Sequence, residues 1–368
     1  MEAMRHTDGH GGPHLTALRD AACAYWHRRG LHTGPGQVVA APGAPLLLLA
    51  LLSAGDPAGG GVLLSRPAAD WHAVPARLLG RPVHRVSAPA DCGGVPDPFV
   101  LLETVRRARS AGDDPRTLVL SVADDPTGTA VPPELLHEVC EAASGEGLLV
   151  VSDESERDTS HDPHGTVVVS PAEMLGAAHS GSVVVLTGTP SVALGRFPDT
   201  ARGHGLAREV RAVLTALHAR VSEEAALGGA QWFAEPPERR ERRAAEAVRQ
   251  GVLARALHDA VTEAGALCRP PQVGRHVYVD LEPARGALAA HGVENAAELE
   301  AELVRRLGAG ADGGHRYGDE PGALRVRLST LLLTGADHPE APDPLRAPHT
   351  AHALRVLRST LAALTATP

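Results

Sequence analysis

Apolar and polar positions change their period along this chain, and those changes mark out its elements. Across residues 15–29 the apolar side chains Leu15, Leu18, Ala22, Tyr25 and Trp26 fall at helical spacing and paired arginines follow, which predicts an amphipathic helix. Beyond it the pattern turns to short continuous apolar runs. Gln37-Val-Val-Ala-Ala reads as a strand, a glycine turn follows, and a helix starts near Pro45, where proline suits the first turn. Gly61-Val-Leu-Leu-Ser, Pro82-Val-His-Arg-Val, Leu118-Val-Leu-Ser-Val, Leu148-Leu-Val-Val-Ser and Ser182-Val-Val-Val-Leu read as further strands, with a helix at residues 98–110 and another opened by Pro132. Strand and helix alternate, so the strands are expected to be parallel. Helical stretches at 206–225 and 239–264 are broken at Glu235-Pro-Pro, and from about Pro236 the pattern becomes a separate α+β unit. There 273–281 alternates like a half-exposed strand, Asn295-Ala-Ala-Glu298 opens a helix through Leu307, and 324–329 closes with another strand.

With 368 residues, 43% of them hydrophobic, the chain can bury a large core, and its length suggests two domains. The net charge of −9 makes no electrostatic case for nucleic acid. The basic cluster Arg239-Arg240-Glu241-Arg242-Arg243 is interleaved with acid and reads as a solvated helix face. Four scattered cysteines show neither a disulfide framework nor ligand spacing, so no metal site is expected and a reduced, cytoplasmic setting fits. The start of the chain has no long apolar core of a signal peptide, residues 45–52 are too short to span a bilayer, and His6, His10 and His14 read as a polar tail. Lysine and isoleucine are absent and Asn295 is the sole asparagine, a bias that fits a GC-rich genome.

The chemistry concentrates at strand ends. Gly43-Ala44-Pro45 has the geometry of an anion site at a helix start, weakened because Pro45 removes one donor. The run Leu118 to Ala123 feeds Asp124-Asp125-Pro126-Thr127-Gly128, the run at 148–152 feeds Asp153-Glu-Ser-Glu156, and the run at 182–186 feeds Thr187-Gly188-Thr189-Pro190. In this order the segments resemble the class I/II aminotransferases of the fold-type I pyridoxal-phosphate (PLP) superfamily, over roughly residues 15–364. The resemblance implies an α/β fold: a large domain whose mostly parallel central sheet is wrapped by helices, plus a smaller α+β C-terminal domain. It also implies a division into an N-terminal segment and helix packing on the small domain (1–34), a large domain (35–235) and a small domain (236–368).

The same resemblance implies roles, and this chain departs from several. Pro190 stands where the family's Schiff-base lysine belongs, with Thr187 and Thr189 in place of the serines of Ser-x-Ser-Lys. Ala69 takes the place of the ring that stacks on the pyridine, and Trp71, two residues on, is a substitute or simply packing. Asp125 replaces an asparagine and Glu156 a tyrosine, both of which donate to the PLP phenolate in the family; ionised carboxylates only accept. Asp153 is in register with the aspartate that pairs with the pyridine nitrogen, Arg196 or Arg202 with the phosphate-binding arginine, and Arg327 with the arginine that clamps the substrate α-carboxylate. Gly43, Ala44, Ala69, Thr187, Thr189 and Pro190 are therefore expected to be vestiges of a cofactor site, and no cofactor is expected. Three functions are open. One is a repurposed, PLP-independent biosynthetic enzyme in which Asp125, Asp153 and Glu156 do acid–base chemistry on an amino-acid-like carboxylate held by Arg327, Trp71 and Arg196. The others are a non-catalytic binding or regulatory partner, and an enzyme using pyridoxamine phosphate or external PLP. A homodimer follows from the family's shared active sites.

Overall fold

The computed structural model describes residues 12–55, 59–89, 92–163, 165–166, 168–175, 181–334 and 343–366. His6 and His10 lie outside the described residues. The strands are β1 (Val38–Ala41), β2 (Val62–Arg66), β3 (Val83–Ser87), β4 (Thr117–Ser121), β5 (Ala123–Asp124), β6 (Thr129–Ala130), β7 (Leu149–Asp153), β8 (Val183–Thr189), β9 (Val192–Arg196), β10 (Leu267–Cys268), β11 (His276–Asp280), β12 (Ala311–Gly313) and β13 (Arg325–Ser329).

Seven strands form one sheet in the order β1-β9-β8-β7-β4-β2-β3, parallel throughout except for β9, which runs against both its neighbours. The continuous apolar runs are explained by burial of both faces. Leu118, Leu120, Val150, Val183 and Val185 point to one side, where the Pro13–Arg28 helix contributes Leu18, Ala22, Tyr25 and Trp26. Val119, Val151, Val184 and Leu186 alternate to the other side, under Leu47, Leu48 and Leu51 of the Ala44–Gly55 helix and Val210 and Leu214 of the Ala201–Ala216 helix.

The first helix departs from the sequence expectation. It packs beneath the large sheet and along the Glu223–Ala234 helix, with the Tyr25 and Phe233 rings edge-on at 5.2 Å, and not on the smaller unit. Its large apolar face needs a broad apolar partner, and the large sheet offers one. His14 belongs to this helix, 2.8 Å from Glu223, so it is not part of a free tail. The helix expected at 206–225 is two helices, because His218 takes a positive φ of 52° and the Ser222 side chain caps a new start by accepting from Ala225 N–H.

The second sheet is antiparallel, in the order β10-β11-β13-β12. Val277, Val279, Val326 and Leu328 face inward against Leu253 and Leu257 of the Pro237–Glu263 helix, Leu299 and Leu303 of the Ala296–Leu307 helix, and Leu357 and Leu361 of the Pro348–Thr365 helix. Asn295 caps the second of these helices, accepting from Ala297 and Glu298 N–H. Alternation then places His276, Tyr278, Arg325 and Arg327 on the opposite face of this sheet, and from that face the bonds to Asp125 start.

Gly128 joins the two sheets. It has φ +67°, its carbonyl accepts from Gln272 and Val273 N–H at 2.7 and 3.0 Å, and a Cβ on it would overlap the His276 carbonyl oxygen. Gly128→Ala is therefore expected to lower unfolding stability by about 1–3 kcal/mol, from left-handed strain and displacement of β11. Denaturant melts would measure it, and an unchanged midpoint would refute the tight docking described here.

Candidate active site

The turn after β5 sets two adjacent carboxyls to different tasks. Asp124 turns inward: its carboxylate accepts from Thr127 Oγ1 at 2.5 Å and Thr127 N–H at 3.3 Å, and its carbonyl accepts from Gly128 N–H at 2.8 Å. Burial pushes its carboxyl up to about 7, against the Thr127 bonds and with Asp125 and Asp153 adding repulsion. Asp125 turns outward to the second sheet, where Arg327 Nη1 reaches it at 2.7 Å and His276 Nδ1 at 2.7 Å. Burial alone would raise the Asp125 carboxyl, but His276 and Arg327 outweigh it and hold it down at about 2.

Arg327 is fully engaged at its fork. Nη1 donates to Asp125, Nη2 donates to Asp312 at 2.8 Å, and the guanidinium lies 4.8 Å from the Tyr317 ring centroid. Nε is buried without a hydrogen-bond partner. The register aligns Tyr278, Arg327 and Asp312 across β11, β13 and β12, which explains why Asp312 is in reach.

At the end of β7, Asp153 Oδ2 meets His72 Nε2 at 2.9 Å, while Oδ1 accepts from Ser155 N–H at 3.0 Å and Ser155 Oγ at 2.7 Å. Three residues on, burial raises the Glu156 carboxyl, with Asp125 adding repulsion and Arg275 opposing it. Asp125 and Asp153 both act on Glu156, so the three share one electrostatic neighbourhood. A cavity of about 170 Å³ lies beside them, lined among others by Tyr25, Glu156, Thr187, Trp232, Gln250 and Arg275.

The remaining expected residues scatter. Thr187 lines that cavity, its Oγ1 3.5 Å from the Glu154 carbonyl. Thr189 pairs with Val192 across a two-residue hairpin turn made by exposed Pro190 and Ser191, so the lysine position has become the tip of a β-hairpin. Gly43 and Ala44 sit at the start of the Ala44–Gly55 helix, and Ala69 is buried three residues before His72. Trp71 is not in the cluster; it packs against the core on the Leu47–Leu51 side of the sheet, edge-on to His72 at 4.4 Å. Arg196 is buried, but it donates from Nε to Thr33 at 2.8 Å and from Nη2 to the His32 carbonyl at 3.4 Å, far from a substrate role beside Arg327. Both residues are drawn away by partners distant in sequence.

Sequence reasoning missed His72, His276, Asp124, Asp312 and Arg275. For His276 a signal existed, since Val277 and Val279 facing inward require His276 and Tyr278 to face the other way. For His72 and Asp312 there was none, because their partners come from other strands.

The family model for aminotransferase class I and II matches residues 1–329, and the chain belongs to that family. Solved structures share its fold. N-succinyldiaminopimelate aminotransferase from Mycobacterium tuberculosis aligns with a TM-score of 0.76 at 19% identity, covering 95% of this chain and 85% of its own. Aspartate aminotransferase from Thermus thermophilus with maleate gives 0.75 at 17% identity over 94% and 82%, and the aspartate aminotransferase from Rhodobacter sphaeroides gives 0.74 at 16% over 94% and 82%. No curated protein sequence matches the chain.

This membership corrects one expectation. The reading that no cofactor belongs here is overturned, because the family and its structural neighbours are PLP-dependent aminotransferases and point to PLP. The residues present do not fit the way the family holds it. Asp153, braced by His72, keeps the acceptor for a pyridine nitrogen. The 368 residues contain no lysine, the hairpin tip at Pro190 leaves no strand-end amine, and where the two phenolate donors were expected stand Asp125, already bound to Arg327 and His276, and Glu156. Borohydride reduction of protein mixed with PLP is expected to fix no pyridoxyl group on any residue lining the site. Peptide mapping that found such an adduct would overturn the fit described here.

Proposed function

We propose that this aminotransferase-family chain is an enzyme whose own carboxylates carry out acid–base chemistry on a small amino-acid-like carboxylate. The observation that supports it is the separation of proton affinities within one cluster: Asp125 held at about 2, Asp124 pushed to about 7, and Glu156 raised by burial. Neighbouring carboxyls set so far apart can hold and accept protons at the same pH. Glu156 is the proton carrier facing the cavity. A substrate carboxylate that takes the Arg327 prong now held by Asp125 removes the guanidinium that helps keep Asp125 acidic, so substrate binding raises the proton affinity of Asp125 and readies it as a base. One of the similar structures is a complex with maleate, a dicarboxylate, which accords with ligands of this charge.

A second reading, a non-catalytic binding partner, draws support from the same fork: both Arg327 prongs are already satisfied within the chain, by Asp125 and Asp312. The two readings separate by experiment. A panel of amino acids and keto acids, followed by NMR for conversion and by thermal shift for binding, should show turnover that falls about 10²–10⁴-fold in Glu156→Gln with binding retained. Arg327→Lys should weaken binding more than turnover, since lysine lacks the planar fork. Neither stabilisation nor conversion across the panel would select the binding-partner reading.

The family likeness also supports a homodimer. Light scattering at micromolar concentration is expected to give twice the 38.2 kDa chain mass, and a clean monomer would refute it.

A further inference from the structure

The arginine cluster at 239–243 is not a uniform solvated face. Arg240 and Arg243 lie three residues apart on one side of the Pro237–Glu263 helix, and both line a cavity of about 320 Å³ that Arg29 and Arg157 also line. Asp158 and Glu235 are its lining carboxylates, so four guanidinium groups meet two carboxylates at the cavity. These acids are already spoken for. Glu235 accepts from Arg28, Arg29 and Arg243, and Asp158 accepts from Arg29 at 2.8 and 3.0 Å and from Tyr25 Oη at 2.9 Å. Arg157 is bound by Glu154 at 3.0 Å and Glu173 at 2.7 Å.

Three donors are left over around the same cavity. The Arg240 guanidinium forms no ion pair among the described residues. Arg243 Nη1 is buried, 3.6 Å from an Asp158 oxygen, and has no hydrogen bond among the described residues. Ser160 is 8% exposed and its Oγ has no partner among them. Buried donors without acceptors are costly, and with Arg243 Nη1 and Ser160 Oγ buried beside the exposed Arg240 guanidinium, an anion that enters gains hydrogen bonds the described residues do not supply.

We infer that this cavity binds a phosphoryl group, at a site separate from the strand-end carboxylates and independent of the function proposed above. A phosphoryl group has three terminal oxygens and can accept from Arg240, Arg243 and Ser160 together, whereas a carboxylate has two; planar guanidinium forks suit phosphoryl oxygens in pairs. The volume falls in the range of about 300–1,000 Å³ usual for small-molecule sites, so there is room for the rest of a phosphate monoester as well as for free phosphate.

Calorimetric titration of the full chain with inorganic phosphate and with glycerol 3-phosphate, at ionic strength fixed by chloride, tests this. Phosphate should bind above the chloride background, with affinity about tenfold weaker in Ser160→Ala and in Arg240→Ala. Neither variant touches the Glu235 network, which Arg243→Ala would break. Tighter binding of glycerol 3-phosphate would identify an ester as the occupant and equal binding would identify free phosphate, and either supports the site. No binding beyond chloride overturns the inference. So does an equal loss in Arg242→Ala, which lies on another side of the helix and would show the attraction to be diffuse charge.

Discussion

The ion pair between Asp125 and Arg327 is the constraint on which the site depends, because it ties the turn between β5 and β6 to β13 of the second sheet. Asp125 follows β5 on the large-sheet side, and Arg327 stands in β13 of the smaller sheet; the two meet at 2.7 Å, with His276 Nδ1 also 2.7 Å from the same carboxylate. Removing one partner would leave the other with a single counter-group, Asp312 for Arg327 or His276 for Asp125. Gly128 reinforces the contact three residues later through its bonds to Gln272 and Val273. The two units are thus clamped at the point where carboxylates gather.

That clamp gives the cluster its chemistry. With Arg327 and His276 on Asp125 and neither on Asp124, burial is opposed only by the Thr127 bonds on one neighbour and is overcome on the other. Glu156 lies between these regimes, raised by burial and by Asp125 and restrained by Arg275. Family membership points to PLP, and Asp153 with His72 keeps part of that inheritance. A two-residue turn at Pro190 and Ser191 ends β8 at Thr189.

A second set of charges gathers where the first helix, the Arg157 turn and the start of the Pro237–Glu263 helix converge. Glu235 takes a positive φ of 52° and is 6% exposed, yet Arg28, Arg29 and Arg243 keep its carboxyl down at about 2 despite burial. Those arginines come from positions 28 and 29 and from position 243, far apart in sequence.

What the sequence alone determined was order and type of element. Continuous apolar runs fixed the buried parallel strands, alternation fixed β11 and β13, and Asn295 marked a helix start, because these signals are local and repeat at the period of the backbone. The segment order also singled out Asp125, Asp153, Glu156 and Arg327, but it did not say that Arg327, from the middle of β13, would reach Asp125 across from the second sheet. Partners were not legible. That Trp71 packs away from the site, that Arg196 turns to Thr33, that His276 and Asp312 take the two sides of the Asp125–Arg327 pair, and that Arg243 leaves solvent for Glu235 were decided by register between strands and by contacts between residues far apart in sequence. A one-dimensional pattern records which face a side chain occupies, but only the packed structure decides what that face meets.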